Sequence, residues 1–372
     1  TIIKELSNRL KISIISPNIR KDAIPDNVVV LPSIPKGFER VRITLLSFKI
    51  FGKNILDHIW LKRQKALISD EYIKSVSVII SFISHGHYKG LILGQYLSRK
   101  YNKRWIVYSV DAIPAPLLWT NDTLYRNHTI LYINKYLSCC DAFFSSNEIM
   151  LSYQLSLLGE FVGKTGVIYT PLRQVAYNID FKHTGSPVIL YTGSVYGPRK
   201  VNEVLEGFRL LVMDYPNAKI LFVGTRISKS LVTKFEDLIN GQNIEIFDYC
   251  TDLSIYYSKA TILLDINAYF ENDVFLSSKI VNYLSVMLPI VSVTGDGSPS
   301  RYIFTQDRSI IHCHHDAREI YNAFLLATNI RSIDKNVRCN YIRKFTTEQC
   351  LSYFYYVYSE LCKVSYSKEL VQ

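Results

Sequence analysis

Between residues 187 and 293 the chain keeps returning to one pattern, an apolar run of four to six residues followed by a stretch with helical spacing. Runs that short read as buried strands. Strands that alternate with helices of about ten to fifteen residues close into right-handed βαβ units around a parallel sheet. The series is strand 188–191, helix 201–214, strand 219–223 ending at Gly224, helix 230–240, strand 244–247, helix 253–258, strand 261–266, helix 278–287, strands 290–293 and 309–313, and helix 317–327. Two places in it are built for anions. The first strand opens into Thr192-Gly193-Ser194 and then Arg199-Lys200, where glycine lets the backbone approach a ligand and cations stand close by. The second is Ser277-Ser278-Lys279 at the start of a helix, whose free N–H groups and positive dipole end attract anions. Two anion sites in one βα domain point to a diphosphate ligand.

The first half repeats the pattern less regularly. Strands are expected at 11–16, 28–31, 76–83, 105–109, 142–145 and 166–168, and helices at 1–10, 89–101 and 123–138, with a turn at Pro17 and Asn18. The polar segment 171–187 reads as a linker, and the aromatic-rich helical run 346–362 must bury a face against something. With 372 residues, 48% apolar and 20% charged, the chain fits two α/β domains. The expected divisions are 1–170, linker 171–187, 188–335, and a helical segment 336–372 that packs back toward the first domain. No apolar run approaches the eighteen or so residues of a spanning helix. Seven cysteines with no CxxC pair and no metal-ligand spacing argue against a disulfide framework and for a reducing cytoplasm.

Charge is unevenly placed. Residues 1–180 hold 23 Lys or Arg and 13 Asp or Glu, a net of +10, which leaves only +1 of the total +11 for the rest. Within that half, Lys36, Arg40, Arg42, Lys49, Lys53, Lys62, Arg63 and Lys65 interleave with Phe38, Leu45, Leu46, Phe48, Ile50, Phe51, Ile59 and Trp60. This fits a helix lying on an anionic membrane face or, equally, a core helix with a solvated basic face. No nucleic-acid motif accompanies the charge, and nucleic acid is not expected as a partner.

The order of Tyr191-Thr-Gly-Ser194 with Tyr196 and Arg199, Phe222-Val-Gly224, Tyr256-Tyr257-Ser-Lys-Ala260, and Ser278-Lys279 through Tyr283-Leu284 to Pro289-Ile290-Val291 resembles the GT-B glycosyltransferases of the retaining family-4 type over most of the chain. The resemblance implies two doubly wound, Rossmann-like domains facing a cleft, with a nucleotide-sugar donor, UDP- or GDP-linked, held by the second. Carried over by position, Gly193, Ser194, Arg199, Lys200, Gly224, Ser277, Ser278 and Lys279 would hold the diphosphate. Tyr249 would lie at the base and Asn282 at the ribose. The family places two glutamates here with seven residues between them; this chain has Val274 and Asn282 instead, with Glu271 and Asp273 nearby as substitutes unless, as loop carboxylates often are, they are merely solvated. Family members also begin with a strand and a glycine loop, whereas this chain starts at Thr1 in a helix, so a first domain truncated at its first strand is expected. The resemblance further implies retention of configuration. No metal and no cofactor are expected, because Arg199, Lys200, Lys279 and the helix start can stabilise the leaving diphosphate, and the Asp-x-Asp metal signature is absent.

Residues just past strands are where open α/β sheets hold ligands. His85 and His87 follow strand 76–83 and Asp111 follows strand 105–109; each is a catalytic candidate that orients the sugar or the acceptor hydroxyl, against the plainer reading of capping or solvated groups. The expected function is sugar transfer to a membrane-associated glycan or lipid-linked acceptor in surface-polysaccharide assembly, on the cytoplasmic face. Its rivals are a nucleotide-sugar 2-epimerase and a catalytically silent binding partner.

Overall fold

The computed structural model describes residues 2–16, 24–34, 41–119, 123–173 and 185–369, with side chains set aside at 41, 42, 44, 45 and 364–369. The expected turn at Pro17 and Asn18, the basic Lys36 and Arg40, Phe38 and most of the 171–187 linker lie outside them. The chain forms two compact units, residues 1–171 with 347–372, and residues 172–346.

In the first unit β1 (Ser13–Ile14) pairs parallel with β2 (Val29–Val30), and β3 (Val78–Ile83), β4 (Arg104–Ser109), β5 (Ala142–Ser145) and β6 (Lys164–Val167) make a second parallel sheet in chain order. Trp105, Phe143, Ile83 and Leu91 are buried in its core. The indole N–H of Trp105 donates to Ser81 Oγ at 2.9 Å, and a Cβ on Gly94 would lie 2.4 Å from the same nitrogen, so the helix Lys89–Tyr101 can pack on the sheet only with glycine there. The terminal helix Thr347–Glu369 packs on β6 and β3, burying Leu351, Phe354 and Val357. The expected aromatic face is thus only partly buried, since Tyr353 and Tyr356 stay exposed.

The second unit holds β7 (Val188–Thr192), β8 (Lys219–Val223), β9 (Ile244–Phe247), β10 (Ile262–Ile266), β11 (Ile290–Val293) and β12 (Ile310–Cys313). They lie in the order β12-β11-β10-β7-β8-β9, every pair parallel. The chain starts at β7, winds outward through β8 and β9, then crosses back to β10 and winds the other way. The reversal between β7 and β10 is the switch point of a doubly wound sheet, where strand ends open a crevice. Ile189, Tyr191, Phe208, Phe222 and Leu264 fill the core beneath it.

Three expectations about elements need correction. The run 230–240 is two helices, Lys229–Lys234 and Glu236–Asn240, because Phe235 leaves helical geometry (φ −113°, ψ 28°) and is fully buried. The basic stretch below residue 65 is also two helices, Val41–Phe51 and Ile55–Lys65, separated at Gly52, whose φ is +60°. Residues 336–346 do not join the terminal segment: the helix Lys335–Lys344 belongs to the second unit, where Arg338 is buried against Asp307 with Nε to Oδ2 at 2.5 Å. No helix among the described residues is long and apolar enough to cross a membrane.

Candidate functional site

The carboxyl ends of β7, β8 and β9 meet at two glycines. Gly193 has φ +92° and Gly224 φ +75°, conformations that L side chains rarely adopt. Both continue the sheet, Gly193 N–H donating to Val223 O at 2.8 Å and Gly224 N–H to Phe247 O at 2.9 Å, while the Thr225 hydroxyl bonds the Gly193 carbonyl. A Cβ on Gly224 would sit 3.6 Å from Tyr249 Cα and 3.8 Å from Gly193 Cα. Gly193, Gly224 and Tyr249 are therefore neighbours, and Tyr249 presents a ring that is 78% exposed.

Lys279 reaches the same place from the other side of the switch point. Its Cε lies 3.0 Å, and its Nζ 3.8 Å, from where a Cβ on Gly193 would stand. Ser277 caps its helix, accepting from Lys279 N–H at 3.2 Å and donating to the buried Asp265 at 2.7 Å. Asp265, in β10, also accepts from Asn267 at 2.9 Å and from Ser292 at 3.2 Å, which ties three loop and strand ends to one carboxylate. Tyr283, buried in the same short helix, bonds Thr192 N–H and Oγ1, each at 3.0 Å, and so fixes the helix to the end of β7.

Neither cation here makes a side-chain ion pair among the described residues. Nε and Nη1 of Arg199 are buried without a hydrogen bond, and the guanidinium lies 4.3 Å over the Tyr196 ring. The Lys279 ammonium sits over the Tyr191 ring at 5.4 Å, and its pKa is lowered, first by burial and next by the charge of Arg199, with Asp265 opposing. Two half-buried cations thus stand close enough to repel, beside a glycine. Lys200 is exposed over Tyr269 at 3.7 Å, and Ser194 is exposed with its carbonyl taking the Tyr191 hydroxyl at 3.0 Å.

Asn282 stands differently from its sequence reading. Its Oδ1 accepts from Arg173 N–H at 2.9 Å and its Nδ2 donates to Ser278 O at 2.8 Å, so both ends already serve the backbone. Val274 is buried, and so is Asp273, one of the two substitute carboxylates. Glu271 is exposed in a surface group with Asp296 and His314, one ligand atom of each within 4.8 Å of the others. His314 already spends its nitrogens on Asp296 at 2.9 Å and Glu319 at 2.8 Å, an ion-pair arrangement.

In the first unit Ser84 to His87 form a tight turn, His87 N–H donating to Ser84 O at 3.0 Å with Gly86 at φ +74°. The chain turns there and does not run extended. The His85 pKa is lowered by its packed surroundings, against the charge of Asp111 and with that of His87; all three residues follow the carboxyl ends of β3 and β4. Asp111 is half-buried, its carbonyl held by Ser109 Oγ at 2.6 Å. Asp265, Tyr283 and Thr225 were not anticipated as parts of the second-unit site. A carboxylate inside the apolar strand Thr261-Ile-Leu-Leu-Asp-Ile266 was the available signal for the first of them.

Neither a protein-family model nor a curated protein matches this sequence. Solved structures do. HepE of Anabaena, crystallised with UDP and glucose, is similar at a TM-score of 0.63 and 12% identity, covering 96% of this chain and 94% of that one. A sucrose-phosphate synthase of Thermosynechococcus elongatus gives 0.62 and 13%, covering 97% and 92%. A glycosyltransferase of Rickettsia africae gives 0.63 and 15%, covering 97% and 93%. Two parallel, Rossmann-like sheets, one with its winding reversed between β7 and β10, together with these likenesses show that the chain has the GT-B fold.

Proposed function

We propose that this protein is a glycosyltransferase of the retaining family-4 kind, taking a nucleotide-sugar donor in its second unit and passing the sugar to a membrane-associated glycan or lipid-linked acceptor. The carrying observation is the pair of unpartnered cations, Arg199 and Lys279, beside Gly193 at the switch point. Donor diphosphate oxygens bond the guanidinium and the ammonium, and the close backbone at Gly193 and Gly224 leaves room for them. Tyr249, next to Gly224, offers a ring to the base. UDP is favoured over GDP by the likeness to HepE, whose crystal holds it.

In the reaction the acceptor hydroxyl attacks the anomeric carbon from the face the diphosphate is leaving, the carbon–oxygen bond to the diphosphate breaks, and the hydroxyl proton passes to a diphosphate oxygen. Negative charge grows on the leaving group, and Arg199 and Lys279, fixed before it forms, stabilise it more in a water-poor site than free cations would. They supply this charge with no metal required. His85, His87 and Asp111 are the acceptor-side groups of the proposal. The net positive first half keeps the enzyme at an anionic membrane face, where such acceptors are held, on the cytoplasmic side in surface-polysaccharide assembly.

A second reading has one specific support: Val274 and the doubly engaged Asn282 stand where the family carries glutamates, as a silent, donor-binding partner would. Incubation with UDP-glucose, other UDP-sugars and GDP-sugars, with membrane extract as acceptor, separates the two. Release of nucleoside diphosphate that depends on the extract supports the transferase. Donor binding with no release under any of these conditions contradicts it.

A further inference from the structure

The basic stretch near residue 50 divides into core and surface in an unexpected way. Phe48 and Trp60 are buried, Phe48 edge-on to Tyr88, Tyr125 and Tyr132 at 5.3 to 5.8 Å. The opposite face of Val41–Phe51 is also apolar. Ile43, Leu46 and Ile50, at i, i+3 and i+7, are 46%, 56% and 60% exposed, and Phe51, at the end of the helix, is 56% exposed. A surface helix ordinarily turns polar residues outward, and this one has large hydrophobic residues on both sides. The row does not stand alone, since the neighbouring helix Thr123–Leu137, tied to it by His128 Nδ1 on Phe48 O at 2.5 Å, exposes Leu124 and Leu131.

Charge decides what covers this face. Residues 41–65 carry six Lys or Arg and one acid, Asp57, which is buried. Lys53, Lys62 and Arg63 are exposed. Two copies of the chain meeting through this face would bring like charges together. A nucleic acid would use the cations and leave the aliphatic row in water. A lipid surface with anionic headgroups meets both demands, with phosphates for the cations and an acyl boundary for the row.

We propose that Val41–Phe51 is a membrane-docking helix that lays Ile43, Leu46, Ile50 and Phe51 into the headgroup–acyl boundary of an anionic bilayer, with Lys53, Lys62 and Arg63 on the phosphates. This rests on the membrane-held acceptor of the proposed function and adds the element that does the holding.

The test is co-sedimentation of the full chain with phosphatidylcholine vesicles with and without phosphatidylglycerol. Two double variants, Leu46→Asp with Ile50→Asp and Lys53→Glu with Arg63→Glu, accompany the wild type. All four positions are exposed and outside the donor site. The expected result is binding to anionic vesicles only, weakened about tenfold or more in each variant and weakened also by raising salt from about 0.1 to 0.5 M. No binding, equal binding to neutral vesicles, or unchanged binding in both variants overturns the proposal, as does a wild-type dimer that the Asp pair dissolves. UDP calorimetry on the same samples keeps the two readings apart. Vesicle binding without UDP binding strikes the donor site alone, and UDP binding without vesicle binding strikes the docking helix alone.

Discussion

Gly193 is constrained twice, by its left-handed backbone and by Lys279, whose Cε leaves only 3.0 Å for a Cβ. Gly193→Ala should therefore strain the turn and push the lysine aside, lowering nucleotide affinity and taking about 2–4 °C off the melting temperature; calorimetry beside a thermal scan checks both. Asp265 acts one step back. Asp265→Asn keeps the shape but removes the charge that Ser277, Asn267 and Ser292 share and that supports the Lys279 ammonium, so the prediction is weaker nucleotide binding from a loosened Ser277 cap and a less readily charged lysine. At this scale the sequence displayed glycine beside cations, which is a local pattern. It could not display that Lys279 folds back over Gly193, that Asn282 is taken by the Arg173 backbone, or that Asp273 is buried, because those facts depend on the tertiary fold.

The helix Lys335–Lys344 is pinned by one buried ion pair. Arg338 places Nε on Asp307 at 2.5 Å, Nη2 on Ser309 Oγ at 2.7 Å and Nη1 on Leu288 O at 3.3 Å, and its neighbour Phe345 packs on Phe304. Removing one partner strands the other charge in the interior, so Arg338→Ala should cost the second unit about 3–5 kcal/mol, read from denaturant unfolding. Arg338→Met with Asp307→Leu, which removes both charges, should recover much of that loss. Elements with strong periodicity were legible: every strand expected between residues 188 and 313 is present within two residues of its place. Breaks were not. Phe235 and Gly52 interrupt helices for tertiary reasons, one to fill the core and the other to turn the chain, and hydrophobic spacing carries no mark of either.

For the second unit as a whole, acid is the predicted weakness. His312 and His315 are held neutral by burial, each with a pKa lowered to about 4 from an ordinary value near 6.5. An unfolded chain takes up those two protons first as pH falls, so the stability they represent is whole above about pH 6.5 and drains away toward pH 4. Asp307, lowered by Arg338 and its hydrogen bonds against the effect of its burial, adds a further loss below its ordinary range. His314 works the other way, its pKa raised by Glu319 and Asp296, and it opposes only part of this. Thermal midpoints should fall several degrees between about pH 7 and pH 5, and His312→Gln with His315→Gln should flatten that slope; a slope unchanged in the double variant would contradict the assignment.

The central claim is that Arg199 and Lys279 wait, unpaired, for a diphosphate at the β7–β10 switch point. Titration calorimetry with UDP on the wild type, Arg199→Ala and Lys279→Ala tests it most directly. Binding in the wild type that weakens about tenfold or more in each variant, the worth of one charged hydrogen bond, is the predicted result. Equal UDP affinity in all three proteins would contradict it.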